Sequence, residues 1–144
     1  MFDSILVICT GNICRSPIAE RMLRNLLPNK KVDSAGINAM IDHPADSTAI
    51  QISEKNSLSL AGHKGVQFTS NLGRQYDLLL VMEHEHIEKI GRIAPELRGK
   101  TMLLGHWTKY KEIPDPYRKS DEAFASVFNL IKESCLSWAE KLER

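Results

Sequence analysis

The sequence lacks the features that mark secreted, membrane-embedded or nucleic-acid-binding proteins. No apolar run approaches the length of a membrane span and no charged-then-apolar leader opens the chain, so the protein is expected to be cytoplasmic and not membrane-embedded. Its 144 residues contain three cysteines, an odd number with two of them in one short loop. That argues against a disulfide framework and for reactive thiols in a reducing compartment. A net charge of +1, with lysine and arginine spread thinly, leaves no basic stripe for nucleic acid. A chain of this length buries a real core without staples, and residues 1–144 are expected to form a single domain.

What is present is one distinctive stretch, Ser4-Ile5-Leu6-Val7-Ile8-Cys9-Thr10-Gly11-Asn12-Ile13-Cys14-Arg15-Ser16-Pro17. An apolar run of strand length ends at Cys9, and after a short loop Arg15, Ser16 and Pro17 open a helical pattern. Such a loop gathers its own backbone N–H groups and those of the helix's first turn around one point, which binds anions. Ser16 reads as the helix N-cap and Pro17 as its first residue. Gly11 and Asn12 stand where unusual backbone angles are needed. Positive partial charges and the Arg15 guanidinium favour thiolate over thiol at Cys9. Arg15 can also grip two phosphate oxygens in a fork that lysine cannot reproduce.

Beyond this stretch, Ile18, Ala19, Met22, Leu23, Leu26 and Leu27 recur with helical spacing until Pro28-Asn29. A second strand is expected over 31–34, with Gly36 permitting a turn, and a second helix opened by Pro44 and running to about Asn56. Residues 58–72 show no sustained period and read as loop and short helix. The near-continuous apolar run over 76–82 reads as a strand buried on both faces of a parallel sheet. A helix with Ile87, Ile90 and Ile93 inward follows, then a fourth strand over 100–104 and a loop over 106–116. In the last helix Phe124, Val127, Phe128, Ile131, Cys135, Trp138 and Leu142 form one apolar stripe. The alternation predicts an α/β fold: a four-stranded parallel sheet with helices on both faces and a phosphate-binding loop after strand 1. Ligands of such sheets bind at the carboxyl ends of the strands, where Cys9 lies.

The spacing from Cys9 to Arg15 and Ser16 fits displacement at phosphorus: thiolate attack, with backbone N–H groups and Arg15 holding the equatorial oxygens. The Ser16 hydroxyl can bond the thiolate, and Asn12 can hold the loop open. A cysteine six residues before an arginine is common by chance. The preceding strand and following Ser-Pro helix start raise this pair above that background. A tyrosine oxygen leaves poorly unless protonated, so an acid is required opposite, and Asp115, stiffened between Pro114 and Pro116, is the candidate. Taken alone it would read as a turn aspartate. Tyr117 either walls the pocket or covers a core edge. Cys14 is either a redox partner of Cys9 or a spectator, and Cys135 reads as core. The histidines of His84-Glu85-His86 are two apart and face different ways on a helix, so no metal is expected there. His63, following Gly62, is either a support behind the loop or, on sequence physics alone, an ordinary histidine.

With Cys9-Thr10-Gly11-Asn12-Ile13-Cys14-Arg15-Ser16-Pro17, Asp33-Ser34-Ala35-Gly36 and Asp115-Pro116-Tyr117, the whole chain resembles the low-molecular-weight protein tyrosine phosphatases. The resemblance implies Cys9 as nucleophile, Arg15 as phosphate clamp, Ser16 and Asn12 as loop supports, and Asp115 as acid then base. It also implies a substrate site formed by Thr10, Gly11, Asn12, Ile13, Cys14 and Ser16, with no cofactor. Within the family the chain is similar to the bacterial type encoded with exopolysaccharide export, whose partners are autophosphorylating tyrosine kinases of the cell envelope. That type carries an aliphatic residue where animal members place an aromatic one, and Met40 matches that place. Tyr117 completes the implied rim, with Arg118 where many members have a second tyrosine and Val66 near a position often basic. The expected partner is a phosphotyrosine protein, no nucleic acid is bound, and the protein is expected to be a monomer. The competing readings are an arsenate reductase on the same fold, which needs a cysteine relay reaching Cys9, and a non-catalytic phosphate-binding module, which has no use for Asp115.

Overall fold

The first strand, β1 (Ser4–Cys9), is the hub of the molecule, with residues 5–9 buried. In a computed structural model, which describes residues 2–143, it lies at the centre of a four-stranded parallel sheet. The partners are β2 (Lys31–Gly36), β3 (Leu78–Val81) and β4 (Thr101–Leu103), in the order β2-β1-β3-β4. The predicted sheet is therefore the observed one. Its register sets Cys9 beside Gly36 and Ile8 beside Val81, so that the carboxyl ends of three strands meet at one edge.

Side chains of β1 alternate between two cores, as the pleat requires. Ile5, Val7 and Cys9 face a layer built on α1 (Arg15–Leu26), α2 (Ser47–Lys55) and α5 (Asp121–Leu142). Leu6 and Ile8 face the opposite layer with Phe68, Leu97 and α4 (His84–Ile93). The α5 stripe expected from the sequence is buried from Phe124 to Trp138, and Ser120 caps the helix by accepting the Ala123 N–H at 3.2 Å. The buried Cys135 thiol points at the Ala19 carbonyl, 3.9 Å away, inside that layer.

Three local expectations are corrected. The second helix begins at Ser47 rather than Pro44, because the Asp46 carboxylate takes the Thr48 and Ala49 N–H groups at 3.0 and 3.2 Å and so defines the cap. Ile93 is exposed, since the inward row of α4 steps by four through His86, Ile90 and Ala94. After Ala94 a 3₁₀ segment, Pro95–Lys100, precedes β4, and no apolar period announced it. The fifth helix, the short α3 (Ser70–Gly73), begins within the stretch read as loop and short helix.

Candidate active site

The loop between β1 and α1 is held from outside by main chain. The Cys9, Thr10, Gly11 and Ile13 carbonyls accept the N–H groups of Ile37, Asn38, Met40 and Asp46 at 2.8–3.0 Å. The Asn12 carbonyl accepts from His63 Nε2 at 2.6 Å, so His63 does support the loop from behind. Every carbonyl from Cys9 to Ile13 thus points outward. A trans peptide sets its N–H opposite its C=O, which turns the loop's N–H groups toward a common centre. Among the described residues no backbone acceptor takes the N–H groups of residues 11–14. Asn12 bends the chain with φ 57°, a conformation that asparagine tolerates better than most residues. Gly11, expected to share that bend, does not have positive φ. The helix begins at Arg15 with Cys14 at the cap position, so Ser16 is not the N-cap and Pro17 is not the first helical residue.

Ser16 is instead turned to the thiol. Its Oγ lies 3.0 Å from Cys9 Sγ and accepts a hydrogen bond from Asn12 Nδ2 at 2.7 Å. The amide also donates to Ser34 Oγ at 3.0 Å, and its Oδ1 takes the Val66 N–H at 2.8 Å. With both amide hydrogens and the carbonyl engaged, the Asn12 side chain has one allowed orientation. Because Ser16 Oγ already accepts from Asn12, its own hydrogen is available to the sulfur. Ser34 Oγ passes its hydrogen to the buried Glu20 carboxylate at 3.0 Å. Asn12 and Ser16, expected as loop supports and also counted in the substrate site, are fully buried and brace the loop from below. Val66 reaches Asn12 through its main chain, and its side chain is exposed.

Arg15 is 1% exposed, a depth at which a guanidinium must be paired. Nη1 donates to Glu83 Oε2 at 2.5 Å and to the Ile113 carbonyl at 2.7 Å. Nη2 makes longer contacts, 3.4 Å to Thr10 Oγ1 and 3.7 Å to Asp115 Oδ2. One end of the group is therefore fixed, and the Nε–Nη2 edge is the one left for a pair of oxygens.

Nine of the residues expected at the site line one cavity of about 180 Å³ together with the exposed Asn38: Cys9, Thr10, Gly11, Ile13, Cys14, Arg15, Met40, Asp115 and Tyr117. Asp115 enters from the loop before α5 and is half-exposed. Its Oδ1 accepts the Tyr117 N–H at 3.0 Å, while Oδ2 faces Arg15 Nη2 across 3.7 Å. The Arg118 guanidinium stacks over the Tyr117 ring at 5.3 Å and stiffens the rim. Burial, then the charges of Asp46, Cys9 and Asp115, push the Cys14 thiol up despite Arg15.

Sequence reasoning missed Glu83 and His86. Glu83 sits just past the carboxyl end of β3, the edge that carries Cys9, and that position is the signal that could have found it. His86 is buried with Nε2 at 3.0 Å from Thr10 Oγ1, and Nδ1 accepts the Glu83 N–H at 3.2 Å. His84, two residues earlier, is exposed on the opposite side of α4.

A thiol, a hydroxyl donor behind it and a braced guanidinium around inward N–H groups define a protein that handles tetrahedral oxyanions. The chain belongs to the low molecular weight phosphotyrosine protein phosphatases, whose family model matches residues 4–144. It is similar to the low molecular weight protein-tyrosine-phosphatase Etp of Escherichia coli K12, with 54% identity over 143 residues, 99% of this chain and 97% of that one. Among solved structures, the tyrosine phosphatase Wzb of Escherichia coli K30 in complex with sulphate matches with TM-score 0.98 and 68% identity, covering 99% of each chain. Vibrio vulnificus Wzb in complex with benzylphosphonate matches with TM-score 0.95 and 52% identity, covering 98% of this chain and 99% of that one. These likenesses set the protein with the tyrosine phosphatases rather than the arsenate reductases.

Proposed function

We propose that Cys9, Arg15 and Asp115 hydrolyse phosphotyrosine in a protein substrate by way of a phosphocysteine. The observation that carries this is their meeting in one cavity over a loop whose carbonyls are tied outside and whose N–H groups at 11–14 meet no backbone acceptor among the described residues. Cys9 Sγ attacks phosphorus as a thiolate while the phosphorus–aryloxy bond breaks, and Asp115 Oδ2 gives its proton to the departing tyrosine oxygen. The Arg15 fork and the loop N–H groups hold the three equatorial oxygens throughout. Water then attacks the phosphocysteine, Asp115 takes the water proton, and inorganic phosphate leaves as the sulfur departs. The Ser16 hydroxyl stabilises that departing thiolate from 3.0 Å. The sulphate and benzylphosphonate of the two Wzb complexes are a tetrahedral anion and an aryl-bearing one, which supports the reading of the cradle and of the Met40–Tyr117 rim.

The substrate we infer is a tyrosine autokinase of the cell envelope acting in exopolysaccharide synthesis or export, met by the protein as a cytoplasmic monomer. Support comes from the aliphatic Met40 at the cavity mouth, and no helix among the described residues is long and apolar enough to cross a membrane. The test is turnover of a phosphotyrosine peptide by the purified chain and by Cys9→Ser, with arsenate reduction assayed alongside. Hydrolysis by wild type alone, with no arsenate reduction, is expected; retained hydrolysis in Cys9→Ser overturns the mechanism.

A further inference from the structure

We propose that His86 is a positioning residue: through its contact with Thr10 it turns the Thr10 hydroxyl hydrogen into the anion cavity, making that hydroxyl one more donor to the phosphoryl group. The inference rests on reading the cavity as a phosphate site and adds a residue on a separate element to it.

A backbone N–H can only donate, so His86 Nδ1, which receives the Glu83 N–H at 3.2 Å, must be the unprotonated nitrogen of the ring. The ring is buried and is held neutral by burial and by nearby Arg15, so its one hydrogen lies on Nε2. At 3.0 Å that N–H donates to Thr10 Oγ1. Arg15 Nη2, which has no lone pair to offer, also donates to Thr10 Oγ1, at 3.4 Å. A threonine hydroxyl has two acceptor sites and one hydrogen. With both acceptor sites used by groups that cannot receive, its hydrogen can point at neither His86 nor Arg15. Thr10 lines the cavity beside Cys9 and Arg15, and an oxyanion held there is the acceptor within reach.

The Glu83 link gives the arrangement a second anchor. Glu83 offers its N–H to the ring and its carboxylate to Arg15 Nη1, so one residue sets the His86 tautomer and fixes the guanidinium that shares Thr10. The cap of α4, the clamp and the hydroxyl are thereby registered to one another.

The direct test is the ¹⁵N and ¹H signature of the His86 ring in the full chain at neutral pH. Hydrogen on Nε2 with an acceptor-type Nδ1 is expected, and hydrogen on Nδ1 overturns the proposal without any variant having to fold. The functional test is competitive inhibition by inorganic phosphate in Thr10→Val, Thr10→Ser, His86→Ala and the double variant Thr10→Val/His86→Ala. A hydrogen bond to a charged group predicts phosphate affinity about tenfold weaker or more in Thr10→Val, near wild type in Thr10→Ser, weaker in His86→Ala, and no weaker in the double variant than in Thr10→Val. Additive losses, or unchanged affinity in His86→Ala, overturn it. If wild type itself neither binds phosphate nor hydrolyses phosphotyrosine, the proposed function has failed; if wild type does both and only the variant pattern fails, this inference alone has failed.

Discussion

A methyl group on Gly36 would lie 2.6 Å from the Thr10 carbonyl oxygen and 3.0 Å from the Asn12 amide nitrogen, so the end of β2 touches the back of the anion loop with no space between. The glycine expected to serve a turn serves a close approach instead, since its φ is not positive. Gly36→Ala must move loop backbone, because neither neighbour is the flexible end of a side chain. Overpacking of this kind costs about 1–3 kcal/mol, a fall in melting temperature of roughly 3–10 °C. Phosphate affinity should fall with it. Thermal melts and competitive phosphate inhibition measure the two, and a variant matching wild type in both would show the contact to be slack.

Asp115→Asn keeps the Tyr117 N–H bond at the same oxygen position and removes the proton from the other. Turnover of phosphotyrosine should drop roughly a hundredfold or more, the usual worth of a general acid. Aryl phosphates of more acidic phenols should lose less. A leaving-group series on both proteins measures this, and an equal dependence on phenol pKa in the two would place the acid elsewhere.

Acid should destabilise the fold through His86. Burial, then Arg15, push its pKa from 6.5 to about 4, while Glu83 and Glu85 oppose the shift. Unfolded, the same ring takes its proton near pH 6.5. Between those values the unfolded chain holds the extra proton, so stability present above pH 6.5 is lost as pH falls toward 4. The shift corresponds to about 3 kcal/mol. His63, lowered chiefly by burial, acts in the same direction. Melting temperature should decline across that window, and less steeply in His86→Gln; an equally steep decline in the variant would assign the acid sensitivity to other groups.

The thiols should differ in reactivity. Burial pushes both Cys14 and Cys135 up, with Asp46 adding to the effect at Cys14, so both stay protonated at neutral pH. Brief iodoacetamide treatment at pH 7 should add a single carbamidomethyl group, at Cys9, and phosphate should slow it. Intact mass and peptide mapping read the result, and modification of Cys14 at a comparable rate would show that its burial does not protect it.

How much was legible follows the range of the interactions. β1, its loop and α1 could be read because apolar runs, Pro17 and the Cys9-to-Arg15 spacing are local signals, and the sheet followed from alternation. Asp115 was found by asking what the reaction needs, and the cavity holds it. Ser16 was expected both to cap the helix, because Ser-Pro favours it locally, and to bond the thiol; the hydroxyl lies 3.0 Å from the sulfur and accepts from an amide at 2.7 Å, and so engaged it does not cap. Glu83, His86, Ser34 and Glu20 act through partners 14 to 76 positions away, at distances no window along the chain can span. Ile93 failed for a smaller reason: a spacing of three fits an inward face, but the α4 row runs in fours.

The segment over 37–46 grips the anion loop through main-chain N–H groups alone, while its side chains at Asn38 and Met40 face the cavity and Ile41 faces solvent. Support of the loop and lining of the cavity are thereby separated along a single stretch of chain. Exchanging those side chains leaves in place every N–H that grips the loop, so on the proposed reading lineages of this architecture can remodel the rim while inheriting an unaltered cradle.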